Sequence, residues 1–183
     1  MRAMVPIFEQ NEGRSIGYEL PDFLNRFDQI LKSHLDEGRA RAFAFLFYNF
    51  EQKEFKNLVL DPEVMISLDR LTGKELSVFF FDEGKKRSLA TFNNKFTKKL
   101  GFEGTSKTPC IVFFKFEKGV VTGTSMAVLS SHQHLGFNTI KEAIDAYLGK
   151  TPKKTTASWK WLAPTSLSIG VVAIKEAIKW IFS

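Results

Sequence analysis

Cysteine is nearly absent from this chain, because Cys110 is the only cysteine among its 183 residues. A single thiol excludes an internal disulfide, a Cys-x-x-Cys redox pair and any zinc site that needs several cysteines. The first residues, MRAMVPIFEQNEG, also lack the apolar region of a secretory signal. We therefore expect a cytoplasmic protein, with peripheral attachment to a membrane as the open alternative.

Acidic residues are scarce in the second half of the chain. Residues 84–183 hold 16 Lys and Arg against five Asp and Glu, whereas residues 1–83 hold ten against 15. The halves, with net charges of +11 and −5, can attract each other within one molecule or between copies. A predicted basic helix over 85–100 spaces its aromatic residues for a core rather than for base stacking, so we expect no nucleic-acid partner.

Tyrosine and tryptophan are also few, with three of each, whereas phenylalanine reaches 19. Phenylalanine has a large apolar surface and no polar group, so most of these side chains must be buried. Apolar residues at helical spacing predict further helices over 20–35, 61–71 and 138–148. Short apolar runs predict buried strands over 42–48 and 76–81 and a short edge strand over 5–8.

The stretch TPCIVFFKFEKGVVTG predicts a buried β-hairpin that is entered through Pro109 and turns at Lys118 and Gly119. Strands thus alternate with helices up to the hairpin, and one more helix follows it. Parallel strands that are joined by helices need crossovers, which place helices on both faces of one mixed sheet. The sequence therefore predicts an α/β fold.

This order of elements resembles the thioredoxin-like fold over residues 20–149. The resemblance is strongest in two segments, TPCIVFFKFEKGVVTG and LSVFFFDEG. The resemblance implies that Pro109 takes the place of the family's cis-proline. It also implies that Asp82 takes the place of an acidic residue that often ends the preceding strand. Where the family carries its Cys-x-x-Cys motif, this chain reads NFEQKEF at 49–55. Dithiol exchange is therefore not implied.

Strand ends and the start of the hairpin should meet at one edge of such a sheet, where α/β proteins prefer to bind ligands. The predicted binding surface consists of Asn49, Phe50, Asp82, Thr108, Pro109, Cys110, His132 and His134. The alternative is an edge without a present role. Cys110 is either a thiol that a neighbouring histidine activates or a small apolar side chain in the core. Two histidines without further ligands predict no metal site.

Beyond residue 149, the sequence GKTPKKTTAS predicts a linker over 150–158 between a domain at 1–149 and a C-terminal amphipathic helix at 159–183. The 14 uncharged positions at 161–174 are fewer than the about 20 that cross a bilayer. We expect the apolar stripe of this helix to rest on the chain's own domain, a second copy, a protein partner or a membrane surface. The residues assigned to this interaction helix are Trp161, Leu167, Val171, Ile174, Ile178 and Ile181.

These features favour a redox-inactive binding or scaffolding module without a cofactor, whose C-terminal helix mediates self-association or the docking of a protein partner. Two alternatives stay open. One is a single-thiol oxidoreductase that uses Cys110, and the other is a membrane-associated effector that acts through residues 159–183. The missing cysteine pair argues against an enzyme but does not decide the question.

Overall fold

The computed structural model describes most of the chain between residues 7 and 179. The described residues are 7–11, 14–18, 20–36, 41–48, 53–72, 75–82, 102, 109–117, 120–129, 137–152, 159–162, 169–170, 175–176 and 179. The predicted basic helix over 85–100 lies outside them. No helix in this described part is long and apolar enough to cross a membrane.

Eight strands of the described part of the chain form one mixed sheet. Their bounds are β1 Ile7–Asn11, β2 Arg14–Tyr18, β3 Arg41–Tyr48, β4 Leu76–Asp82, β5 Cys110–Glu117, β6 Val120–Leu129, β7 Trp159–Leu162 and β8 Ile169–Gly170. The strand order is β2-β1-β4-β3-β5-β6-β7, and β8 pairs with β6 beside β7. Among these described strands, only β3 and β4 pair in parallel, and the other neighbours are antiparallel.

Four helices pack with this sheet in the described part of the chain. They are α1 Leu20–Asp36, α2 Lys53–Leu60, α3 Pro62–Thr72 and α4 Phe137–Tyr147. The predicted mixed α/β fold is therefore confirmed.

The centre of the fold is β3, which is buried on both faces. Its odd-numbered phenylalanines, Phe43, Phe45 and Phe47, belong to the α1-side core, the buried cluster that also contains Phe23 and Phe27 of α1. Its even-numbered residues belong to the α4-side core, the cluster on the opposite face of the sheet. Because successive strand residues point to opposite faces, burial of both faces requires the unbroken apolar run in the sequence.

Aromatic rings fix α1 on the sheet. The Phe23 ring lies edge-on to Phe79 of β4, with centroids 5.1 Å apart, and the Phe27 ring lies 5.1 Å from Phe43 of β3. Edge-to-face and offset pairs at such distances are the favoured arrangements of aromatic rings. The rotation of α1 about its axis is therefore set, and this rotation decides which of its polar residues face the β1–β2 hairpin.

The start of α3 follows the sequence prediction. The backbone N–H of Glu63 donates to Asp61 Oδ1 at 2.8 Å, which is a helix N-cap ahead of the first-turn Pro62. The sequence analysis predicted no element between residues 49 and 60, whereas α2 occupies Lys53–Leu60. Phe55 holds α2 in place by packing on Tyr48, with ring centroids 5.3 Å apart.

The N-terminal strands also differ from the prediction. Val5 and Pro6 lie outside the described residues, and β1 begins at Ile7 and lies between β2 and β4 rather than at an edge. The outermost strand is β2, which the sequence did not predict. A short hairpin that is covered on one side by a neighbouring strand needs no strong apolar alternation of its own.

The predicted C-terminal helix over 159–183 is wrong at its start. Residues Trp159–Leu162 form β7, which pairs with Met126 to Leu129 of β6, and Ile169–Gly170 form β8. Trp161 therefore lies on a strand, where it packs on Phe113 at 5.7 Å between ring centroids. The outer edge of β6 has backbone N–H and C=O groups that need hydrogen-bond partners, and the tail supplies them. The spacing of apolar residues in the tail does not indicate this pairing.

Helical residues do occur further along the tail, at Lys175, Glu176 and Lys179. The remaining residues of the predicted stripe, Leu167, Val171, Ile174, Ile178 and Ile181, lie outside the described residues. The Lys175 ammonium forms an ion pair with Asp28 of α1. The tail thus contacts the same molecule twice, through the sheet and through α1.

Trp161→Ala is expected to lower the free energy of unfolding by about 2 kcal/mol, because it removes a half-buried ring from the contact with Phe113. Lys160→Ala, one residue earlier at an exposed position of β7, should change it by less than about 0.5 kcal/mol. Chemical denaturation followed by circular dichroism measures both values. Equal effects of the two substitutions would contradict the placement of β7.

Candidate functional site

The predicted strand-end surface is partly visible. Tyr48 and Asp82, the last residues of β3 and β4, pair in register, and β5 begins at Cys110 opposite Phe47. The Pro109 carbonyl accepts a hydrogen bond from the Leu129 N–H at 2.9 Å, which joins the hairpin at this end. Asp82, Pro109 and Cys110 therefore share one edge of the sheet.

Five predicted members of that surface lie outside the described residues: Asn49, Phe50, Thr108, His132 and His134. Nothing in the described part of the chain thus tests a contact between Cys110 and a histidine. The peptide bond before Pro109 also involves Thr108, so its predicted cis form stays a prediction. Across the described ranges, no group of three or more His, Cys, Asp and Glu side chains is placed to hold a metal ion.

Cys110 is a buried residue, with none of its surface exposed. Its side chain belongs to the α1-side core together with Val112 of the same strand and Met126 of β6. A thiol acts as a nucleophile through its thiolate, which burial in apolar surroundings disfavours, and a reagent must also be able to reach it. The position fits the small apolar role of a core cysteine.

An open polar cavity lies elsewhere, between α1 and the end of β2. Its volume is about 490 Å³, and its lining residues are Tyr18, Asp22, Asn25, Arg26 and Gln29. We call this cavity the α1 cleft. Four of its five residues lie on α1 at positions i, i+3, i+4 and i+7, which form one flank of a helix. The aromatic packing of Phe23 and Phe27 turns that flank towards β2.

A buried carboxylate forms the base of this region. Glu9 of β1 is only 4 % exposed, and Arg26 holds it with two parallel hydrogen bonds, Nε to Oε2 at 2.8 Å and Nη2 to Oε1 at 2.9 Å. The Tyr18 hydroxyl donates a third, to Oε2 at 2.8 Å. A buried charge is tolerated when it is both paired and hydrogen-bonded, and Glu9 meets both conditions.

Proton affinities in this cluster follow from its geometry. Burial, followed by the hydrogen bond and the negative charge of Glu9, raises the pKa of the Tyr18 phenol to about 12. The hydrogen bond to Glu9 also raises the pKa of Arg26, against the effect of burial. At neutral pH the phenol therefore keeps its proton and donates it to Glu9.

The outer part of the α1 cleft is made of side chains that face solvent. Asp22, Asn25 and Gln29 are exposed, and among the described contacts none of them has a hydrogen bond or an ion pair. Arg26 is one-third exposed as a side chain, and its Nη1 group donates to no acceptor in the same described set. The cleft can therefore form new hydrogen bonds without breaking those that hold Glu9.

A second buried tyrosine has a structural role. The Tyr147 hydroxyl of α4 donates to the Gly123 carbonyl of β6 at 3.1 Å, and the ring stacks on Phe113 with centroids 4.5 Å apart. Burial raises the pKa of its phenol, with a smaller contribution from the charge of Glu117. These contacts attach α4 to the sheet. Gly123 has a φ of 60°, which an L side chain rarely adopts.

The α1 cleft was missed from the sequence, although part of its signal was there. Polar residues at 22, 25, 26 and 29 follow helical spacing on the side away from Phe23 and Phe27. What the sequence could not supply was the neighbour, since Glu9 and Tyr18 reach Arg26 only because the β1–β2 hairpin folds back beside α1.

Glu9→Gln is expected to lower the pKa of Tyr18 from about 12, because the charge that favours the protonated phenol is removed. The value should stay above the ordinary 10.0, since burial is the largest cause of the shift and does not change. Titration of tyrosine-labelled protein by ¹³C NMR measures this, and Tyr147 serves as the internal control. An unchanged Tyr18 titration would show that the hydrogen bond is absent in solution.

The same shift has a consequence for stability. Because the folded protein holds the Tyr18 proton more tightly than the unfolded chain does, this contribution is fully present below pH 10. It is lost as the pH rises from about 10 towards about 12. Tyr18→Phe should therefore show a smaller loss of stability over this range than the parent protein.

Comparisons with known proteins give one structural likeness. No family model matches this sequence, and no curated protein sequence matches it. Among solved structures, the chain is similar to the thioredoxin from Aeropyrum pernix, with 16% sequence identity, a TM-score of 0.40, and coverage of 78% of this chain and 94% of that chain. This degree of likeness assigns no residue a role, and the α/β fold rests on the strands and helices described above.

Proposed function

We propose that this chain is a redox-inactive binding or scaffolding module with a thioredoxin-like order of elements. The observation that carries the proposal is the contrast between the Cys110 thiol and the α1 cleft, both in the described part of the chain. The sole thiol, Cys110, is buried in the α1-side core, whereas the α1 cleft is open and lined by polar side chains. The accessible groups are thus suited to hydrogen bonding rather than to thiol exchange.

The single-thiol oxidoreductase is the weaker alternative. Such an enzyme would need the Cys110 thiolate to meet a disulfide, a peroxide or glutathione at the protein surface. Cys110 has no exposed surface, and a β5 residue in register with Phe47 of β3 and Val128 of β6 cannot turn outwards without breaking the sheet. Burial at this position therefore argues for the binding role.

The tail supports docking on protein rather than on lipid. Both β7 and β8 pair with β6 of the same chain, and Lys175 pairs with Asp28 on α1. This ion pair joins the basic second half of the chain to the acidic first half, as expected from the attraction between their opposite net charges. We propose that residues 159–183 complete the domain through β7 and β8, and that the helical residues further along this tail belong to a second contact surface, for another copy or a protein partner.

Cys110 is expected to react with a thiol reagent at least about 100-fold more slowly in the native protein than in denaturant, because opening of the core must come first. The protein should also fail to accelerate the reduction of insulin by dithiothreitol. Cys110→Ser provides the blank for both assays. Fast labelling of the native protein, or turnover that disappears in Cys110→Ser, would favour the oxidoreductase.

Removal of residues 159–183 is expected to lower the melting temperature by about 10 °C, because β6 loses β7 and β8 and the Trp161 contact is lost. Lys179→Ala, at an exposed position, is the control and should leave it unchanged. If the tail instead served a membrane, its removal would abolish sedimentation with anionic vesicles and leave the melting temperature unaltered. Light scattering on both proteins reports whether the tail also joins two copies.

A further inference from the structure

Charge in and beneath the α1 cleft is not balanced. The guanidinium of Arg26 is matched by the carboxylate of Glu9, which it holds through two hydrogen bonds. Asp22 remains, and among the described residues its carboxylate has no ion pair. Glu9, Asp22 and Arg26 together therefore carry a net charge of −1. Among the described lining residues, Asp22 supplies the carboxylate at the outer part of the cleft.

Hydrogen-bond acceptors accompany this charge. The Asp22 carboxylate and the amide oxygens of Asn25 and Gln29 can all accept hydrogen bonds. Asn25 and Gln29 lie one helical turn apart, and Asp22 lies one turn before Asn25. One flank of α1 thus presents three side-chain acceptors in a row, and Tyr18 lies beside them.

An anionic ligand fits this arrangement poorly. It would meet an arginine whose charge Glu9 already offsets, and it would be repelled by Asp22. A neutral ligand would leave the Asp22 carboxylate without a counter-charge. A cation that carries several N–H donors satisfies both the charge and the acceptors.

We propose that the α1 cleft binds a cationic hydrogen-bond donor, a guanidinium or a primary ammonium group, with Asp22 as its counter-charge and Asn25 and Gln29 as acceptors. The volume of about 490 Å³ lies within the range of small-molecule sites and also admits one long side chain of a peptide. This proposal rests on the binding role proposed above and names the chemistry of its ligand.

The Glu9 cluster gives this site its rigidity. Arg26 forms one wall of the cleft, and its two bonds to a buried carboxylate fix the plane of the guanidinium. The Tyr18 ring is held at the opposite end of the hydrogen-bonded group by its own bond to Glu9. A pre-ordered wall reduces the conformational entropy that a ligand must remove on binding.

Agmatine, which carries a guanidinium and an ammonium group, is the probe. Its urea analogue, N-carbamoylputrescine, keeps the ammonium and replaces the guanidinium with a neutral group, and N-butylurea lacks both charges. The full chain is titrated with each compound, and ¹⁵N NMR follows the side-chain amide signals of Asn25 and Gln29. Asp22→Asn removes the counter-charge with little change in shape, and Asp36→Asn, at the exposed end of α1, is the matched control.

Agmatine should shift the two amide signals to saturation. Asp22→Asn should weaken its binding about fivefold to tenfold, and Asp36→Asn should leave it unchanged. Binding should also weaken as sodium chloride is raised, since Asp22 is exposed to solvent. N-carbamoylputrescine should bind through its ammonium group, and N-butylurea should cause no saturable shift.

Three results would overturn the proposal. These are no saturable shift with agmatine, equal binding to parent and Asp22→Asn, and equal binding of N-butylurea. A blocked peptide with one central arginine separates the two sources of the cation, because tighter binding than agmatine identifies a protein side chain and weaker binding a free amine. If the Cys110 thiol reacts slowly and agmatine does not bind, this proposal fails but the proposed redox-inactive function does not. The two failures are therefore distinguishable.

Discussion

Burial of β3 on both faces is the constraint on which the rest of the structure depends. A strand that shows no side chain to water must be covered by helices above and below and flanked by strands on each side. The phenylalanines of this strand meet α1 on one face, and the even-numbered residues meet α2, α3 and α4 on the other. Eleven of the 19 phenylalanines lie on β3, on its neighbouring strands β4 and β5, or on α1, so this element accounts for much of the surplus.

The same constraint separates what the sequence predicts from what it does not. Of the elements that touch β3, α1, α3, α4, β4 and β5 carry clear apolar signals and were predicted close to their observed bounds, whereas α2 was missed. Elements further from β3 bury less and carry weaker signals. The hairpin of β1 and β2 and the strands of the tail belong to this outer group, because backbone pairing holds them and pairing leaves little trace in side-chain spacing.

The candidate site shows more clearly what could not be predicted from the sequence. Asp82, Pro109 and Cys110 lie at one edge of the sheet, as expected for the ends of parallel strands and the entry to a hairpin. This placement does not determine whether their side chains are exposed to solvent. The α1 cleft depends on Glu9, Tyr18 and Arg26, which lie on three different elements. No sequence pattern distinguishes any of the three residues within its own segment. Only the tertiary structure shows that the buried Glu9 carboxylate is held by both Tyr18 and Arg26.

The apolar run that allows β3 to be buried on both faces also makes this segment prone to aggregation before folding is complete. AFAFLFY has high β-propensity, no charge and no proline, which is the composition of segments that associate between unfolded chains. Its partner β5 comes more than 60 residues later along the chain, so β3 must wait for a long-range contact. Arg39 and Arg41 stand directly before the run, where charge discourages the stacking of one chain on another. Newly made chains are thus protected at the segment that the finished protein conceals most completely.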